Sequence, residues 1–319
     1  MALIVVPRGP KVFVSNEGSG DVTVIDAITG KVAGTFPVGK RPRGIQRSPD
    51  GKRVFVALSG TPAQPPGSNA PAGPTDASAH AIGVIDTATL AVVDRLPGGS
   101  DPEQLAVAPD GMKLYVANED ASSASVIDIG GRRVEASLKT GDEPEGVGAS
   151  PDGKWVYVTC EGTGTVEVVD ARAAKVVKEL NVGGRPRSAA FLPDGNKAYV
   201  SQENGGTVTV VSLPDHAVIK TVKIDGRPMG LAVAPDGKTV FVTTGRGATV
   251  AAIDTAKDEV TGTIGVGERP WGISITPDGR TLYVANGPSN DVSIVDVATR
   301  KETSRVKVGN RPWGVVYVP

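Results

Sequence analysis

The chain has 319 residues, with 34 basic and 35 acidic side chains and a formal net charge of -1. That balance gives no electrostatic case for bulk binding to nucleic acid or to a membrane surface, and no apolar run is long enough to insert into a bilayer as a helix. One cysteine, Cys160, excludes an intramolecular disulfide.

Read from the N-terminus, the elements recur. After Leu3-Ile4-Val5-Val6 comes a strand core, Val12-Phe13-Val14, and then Val22 to Asp26 and the turn Val38 to Gly44. Pro-Asp-Gly follows at residue 49 and returns at 109, 151, 193, 235 and 277, in steps of 60, 42, 42, 42 and 42. Strand cores of the Val-Phe-Val or Leu-Tyr-Val kind follow each copy, at Val54, Leu114, Trp155, Ala198, Val240 and Leu282. Seven turn prolines, Pro42, Pro102, Pro144, Pro186, Pro228, Pro270 and Pro312, separate the units. Glycine and proline confine turns to these points, and β-branched and aromatic residues fill the spans between them.

A unit of this kind buries its apolar face only against its neighbours. The expected fold is therefore all-β, a seven-bladed propeller with four strands per blade and essentially no helix, occupying residues 1–319 as one closed body. The C-terminal run Arg311 to Val318 has the complete turn motif and is expected to supply the inner strand of the N-terminal blade. Leu3 to Val6 is the competing candidate. Closure removes the exposed sheet edges without a covalent link.

The 60-residue step marks an insertion, residues 59–80, with 18 more positions than the ordinary connection. Rich in proline and poor in apolar residues, it is expected to cross the entrance face as an irregular loop. His80 closes it and could serve as an acid, base or ligand near Asp76. His216 lies in a turn expected on the opposite face, which disfavours a two-histidine metal site.

The Pro-Asp-Gly face is monotonous, so the variable face, which carries the prolyl turns, is the expected entrance. Two rings flank the prolines there. Arg41, Asp101, Glu143, Arg185, Arg227, Arg269 and Arg311 precede them; Arg43, Glu103, Glu145, Arg187, Met229, Trp271 and Trp313 follow. The mouth is thereby divided into acidic, basic and aromatic arcs, suited to a ligand with separated charge or to a partner's loop. The expected contacts are Arg41, Arg43, Glu103, Glu145, Arg187, Arg227, Arg246, Trp271, Asn286 and Trp313. The competing reading has these side chains pair across neighbouring blades and merely cover the channel.

Glu17, Glu119, Glu161 and Glu203 occupy equivalent positions after the second strands. No metal is expected, with calcium held by Glu119 and Glu161 as the alternative. Gly18-Ser19-Gly20 and Thr163-Gly164-Thr165 lack a strand-to-helix context and make no phosphate loop. Cys160 reads as a partly buried structural thiol, and Tyr115, Tyr157, Tyr199 and Tyr283 as packing residues.

The repeat Lys11 to Asn16, Val22 to Asp26 and Val38 to Gly44 resembles the YVTN propeller repeat family of bacteria and archaea. The variant turns at Arg41 to Gly44, Ser100 to Gln104, Glu143 to Gly146, Arg185 to Ser188, Thr244 to Gly247 and Asn286 to Asp291, with the long second-blade loop, are similar to propellers associated with PQQ-dependent alcohol catabolism. That resemblance implies export to the periplasm and association with a quinoprotein oxidation system. It carries over no catalytic residue, and no motif here would itself cradle PQQ; no cofactor is expected. The chain lacks the order of an export signal, as a processed periplasmic or secreted protein would.

The leading functional expectation is a non-catalytic propeller, a monomer, that binds a small molecule or a periplasmic protein and is accessory to alcohol oxidation. The first alternative is a hydrolase or lyase at the mouth, with Glu103 or Glu145 as acid/base, Arg187 or Arg246 stabilising an anion, and His80 as a second proton-transfer group. The second is a purely structural or surface-interaction protein.

Overall fold

In the computed structural model, which describes residues 6–62 and 73–319, every unit of the repeat folds into one antiparallel four-stranded sheet, and there are seven sheets. The inner strands begin at the seven turn prolines: Pro42–Arg47, Pro102–Val107, Pro144–Ala149, Pro186–Phe191, Pro228–Val233, Pro270–Ile275 and Pro312–Val318. Each packs beside the inner strand of the next sheet, which closes a ring around a central channel.

The blades are numbered here from the sheet that holds Lys11–Asn16. Its inner strand is Pro312–Val318, which pairs antiparallel with Lys11–Asn16 in the register Phe13 with Val316 and Val14 with Val315. The C-terminal copy thus closes the ring. Leu3, Ile4 and Val5 lie outside the described residues.

Glycine at the Pro-Asp-Gly turns adopts the left-handed conformation in all six copies, with φ between 70° and 73°, the role that a residue without Cβ fills at no steric cost. The aspartate of the turn accepts backbone N–H groups, as when Lys52 N donates to Asp50 at 3.0 Å. A second regularity is a register shift in the outermost strand pair of every blade. Such bulges twist a free edge away from pairing with another chain.

Apolar side chains collect between blades rather than within them. Phe13, Val22 and Val24 of blade one pack with Val54, Val56 and Leu58 of blade two, and each junction around the ring has its own cluster. Burying one such side chain contributes about 1.5–3 kcal/mol. Tyr157 and Tyr199 are fully buried within these clusters. Among the described residues, helical structure is limited to two 3-10 turns, Ala77–Ala79 and Glu119–Ala121.

Candidate functional site

All seven residues before the turn prolines are left-handed without being glycine. Arg41, Asp101, Glu143, Arg185, Arg227, Arg269 and Arg311 have φ between 40° and 64°, a conformation that costs an L-residue about 1–2 kcal/mol. The neighbouring loops hold it in place. In six blades the carbonyl of this residue accepts the N–H of the residue that follows the second strand, as in Glu17 N to Arg311 O at 3.0 Å and Glu161 N to Glu143 O at 2.9 Å. The second blade, which has the insertion, shifts by one residue, and Ser59 N bonds Lys40 O at 3.1 Å instead.

Hydroxyls fix the next ring. Ser15 Oγ donates to Arg43 O, and Thr243 Oγ1 donates to Trp271 O at 2.8 Å, each across a blade junction and each 28 residues on. Sequence reasoning missed these side chains. Their trace was a serine or threonine in the second strand, where other blades have Ala57, Ala117 and Ala285.

Two arginines then organise the acidic arc. Arg43 pairs with Asp101 at 2.8 Å and with Glu103, and approaches Glu119 at 3.7 Å. Arg187 pairs with Glu145 at 3.2 Å and with Glu161, and approaches Glu203 at 3.7 Å. Arg187 lines a cavity of about 120 Å³ in the channel, together with Glu145, Gln46, Gln104, Ser188, Met229, Trp271 and Trp313. A water needs about 10–15 Å³ of such space, so the cavity holds roughly ten heavy atoms. Gln46 had no distinguishing sequence signal, while Gln104 and Ser188 fall in the variant turns Ser100 to Gln104 and Arg185 to Ser188; all three line the channel because the inner strands do.

Glu145 is 5% exposed. Burial pushes its carboxyl up to about 7, although Arg187 pulls the other way. Burial likewise opposes the charge on Arg187, but Glu145, Glu161 and Glu203 outweigh it and hold the guanidinium above its ordinary value. Glu161 is also desolvated, yet Arg187 and Arg185 bring its carboxyl below the usual range. On the far wall Trp271 and Trp313 lie 6.5 Å apart between ring centroids, and the buried Nε1 of Trp271 has no hydrogen-bond acceptor among the described residues.

Several expected contacts fall elsewhere. Asn286 is corrected from ligand contact to brace: it is fully buried, and its Nδ2 donates to Asp291 Oδ1 at 2.9 Å and Ser293 Oγ at 2.8 Å. Glu103 is fully buried and Arg43 is 6% exposed, both enclosed by their own ion pairs. Arg246 is exposed at the rim and makes no ion pair among the described residues. Arg41 and Arg227 pair with Glu17 at 3.1 Å and Glu203 at 3.3 Å. His80 Nδ1 accepts the Asp101 N–H at 2.6 Å, and His80 does not line the cavity. Lys40 and Asp76 form an ion pair at 2.7 Å beside the insertion, of which residues 63–72 lie outside the described residues.

Among the described residues, Asp101, Glu103 and Glu119 bring one carboxylate oxygen each within 4.8 Å of one another. Arg43 already occupies their midst, and Glu161 faces Arg185 and Arg187 instead of Glu119.

The family model described as lactonase, 7-bladed beta-propeller, matches residues 139–308, just over half of the chain. This chain belongs to that family. A second model, the cytochrome D1 heme domain, matches residues 74–189. The residues there do not fit a haem, because the one histidine of that stretch, His80, has Nδ1 committed to Asp101 and Nε2 buried. No curated protein matches.

Among solved structures, this lactonase-family propeller resembles a candidate 6-phosphogluconolactonase from Bacteroides fragilis at 22% identity and TM-score 0.76, covering 97% of this chain and 98% of that one. A second such protein, from Bacteroides uniformis, matches at 19% identity and TM-score 0.78, covering 97% and 99%. Hydrazine synthase of Kuenenia stuttgartiensis matches at 24% identity and TM-score 0.74, covering 86% and 89%. Likeness at these identities speaks to the fold alone.

Proposed function

We propose that the chain is a hydrolase that opens the ester bond of a small lactone or lactone-like substrate at the channel mouth. The observation that carries this reading is Glu145, a carboxyl lifted to about 7 on the wall of a cavity, 3.2 Å from Arg187. A general base works best when its pKa lies near the working pH. The ionised Glu145 takes a proton from water as the water oxygen bonds to the substrate carbonyl carbon. Arg187 is the donor on the cavity wall for the oxyanion that forms. When the tetrahedral intermediate collapses and the ring C–O bond breaks, Glu145 returns the proton to the departing alkoxide, giving a hydroxy acid.

Lactonase-family membership and the candidate lactonases among the structural relatives support hydrolysis over the non-catalytic expectation. The YVTN resemblance adds a setting to the proposal: the periplasm, alongside quinoprotein alcohol oxidation.

A panel of aliphatic and sugar lactones, followed by proton release, tests the reaction. Activity should rise with pH through about 7, and Glu145→Gln should lower kcat by about 10²–10⁴-fold. Lactones that bind without turning over, or an unaltered pH profile in Glu145→Gln, would return the mouth to a binding role.

A further inference from the structure

Around the rim, carboxylates and arginines follow one spacing. Glu17 meets Arg41, Glu161 meets Arg185 and Glu203 meets Arg227, each 24 residues on and across one blade junction. This pairing rule fails at the other four junctions, one of which sets Ser59 against Asp101, an aspartate that Arg43 neutralises. After Glu119, the position that takes arginine elsewhere is Glu143. Burial raises the Glu119 carboxyl despite Arg43, and burial together with Glu161 and Glu119 raises that of Glu143.

The opposite fault lies in blade seven and beside it. Gly245 and Gly287 stand where a carboxylate would meet Arg269 and Arg311. Arg311 turns to Glu17 at 3.4 Å. Arg269 makes no ion pair among the described residues; its guanidinium lies 5.6 Å from the centroid of Trp271, with that of Arg311 at 5.9 Å. Burial, opposed by Glu203 but reinforced by Arg311, depresses the Arg269 pKa.

In a closed ring of seven, the junction of blades three and four has three blades on either side before blade seven is reached. Glu119 and Glu143, which Arg43 and Arg185 offset only in part, therefore face Arg269 across the channel. The cavity that Glu145 and Trp271 both line opens in the same channel, with Glu119, Glu143 and Arg269 outside its lining.

We propose that the substrate carries a cationic group at one end and an anionic group at the other, the cation at Glu119 and Glu143, the anion at Arg269 beside Trp271. This rests on the mouth being the active site, and it narrows the substrate from a lactone in general to one bearing separated charge. A ligand with only an anion leaves two partly desolvated carboxylates with no more countercharge than Arg43 and Arg185 give them, and meets their repulsion as it enters. One that supplies both charges gains a charge-assisted contact at each end.

Ligand-observed NMR titration at pH 8 and low salt, with 6-aminohexanoate, hexanoate and hexylamine as probes, tests the charge pattern on the intact chain. The zwitterion should bind at least tenfold tighter than either singly charged probe. Glu143→Gln, an exposed substitution, should bring 6-aminohexanoate close to hexanoate. Arg269→Gln should bring it close to hexylamine. Hexanoate binding as well as 6-aminohexanoate, indifference to Glu143→Gln, or no binding by any of the three overturns the proposal. The lactone panel reads separately: turnover lost in Glu145→Gln without a zwitterion preference sinks the charge pattern and keeps hydrolysis, whereas the preference without turnover keeps the charge pattern and sinks hydrolysis.

Discussion

Buried titratable side chains away from the mouth make the clearest case for reading single residues physically. Tyr157 and Tyr199 each point from one blade to a left-handed turn residue of the next, 59 positions on. Tyr157 Oη lies 2.8 Å from His216 Nδ1, and Tyr199 donates to Asp258. Where blade three has Tyr115, the equivalent partner is Ala174. His216 has a further neighbour in Trp155, edge-on at 4.5 Å, and burial, reinforced by Lys178, lowers its pKa below the ordinary 6.5 of histidine. An unfolded chain therefore takes up this proton at a higher pH than the folded one, and folding stability falls as pH drops through 6.5 toward the lower folded value. Glu145 has the opposite sign. Its raised carboxyl keeps a proton that the unfolded chain has already released, so its linkage costs stability as pH rises from 4.5 to about 7. The wild-type slope alone cannot separate the two. The comparison with His216→Asn can, since asparagine tolerates the left-handed turn and does not titrate. In thermal melts from pH 8 to pH 5, the wild type should lose more Tm than His216→Asn, with the gap opening only below about 6.5. Parallel curves would mean that His216 titrates alike in both states.

At the scale of strands and turns, the strongest determinants are those that repeat. The positive φ of the Pro-Asp-Gly glycines was legible because only glycine adopts it freely, and the strand cores were legible because alternation and turn chemistry agree. The left-handed arginines and acids before the prolines were not, since residues before proline ordinarily read as extended. Their conformation is imposed by a backbone hydrogen bond from the loop 18 residues further on, or, at the ring closure, from the other end of the chain. The cross-junction hydroxyls were hidden for the same reason. Thr243 Oγ1 takes the Gly230 N–H at 2.8 Å and gives its own proton to Trp271 O at 2.8 Å, so it joins two inner strands and sets where the Trp271 ring begins. Thr243→Ala keeps the strand yet leaves that N–H and C=O without the hydroxyl. It should cost about 1–3 kcal/mol in denaturant unfolding and, because the Trp271 backbone is released, change the tryptophan fluorescence of the folded protein. Alanine already stands at the equivalent positions 57, 117 and 285, so an unchanged stability would mean that blade packing alone holds the junction.

For the molecule as a whole, seven-fold repetition explains why the architecture was legible and the site was not. A repeat announces its own period, but the charges at the mouth acquire meaning only from which blade lies beside or opposite which. Glu103 and Glu145 are equivalent in sequence, yet the first is enclosed by Arg43 and the second opens on the cavity. Asn286 resembled a rim residue in sequence, but the strand pairing turns it into the interior, opposite Pro270. The ring that brings these groups together depends on a single non-covalent closure. Val315, Val316 and Val318, all under 9% exposed, join the clusters on both sides of blade one, and Ser15 Oγ accepts the Gly314 N–H at 3.0 Å across the same seam. Removing residues 310–319 would strip Lys11–Asn16 of its inner partner, expose an unpaired edge and uncover two inter-blade clusters. Burial of the three valines alone amounts to about 4–9 kcal/mol, comparable with the whole stability of a typical domain. The shortened chain should therefore lose its cooperative thermal transition and aggregate through the exposed edge. A synthetic peptide of residues 310–319 added during refolding should pair with that edge and restore both the transition and monodispersity. A shortened chain that still melts cooperatively without the peptide would show that the other six blades close the ring unaided.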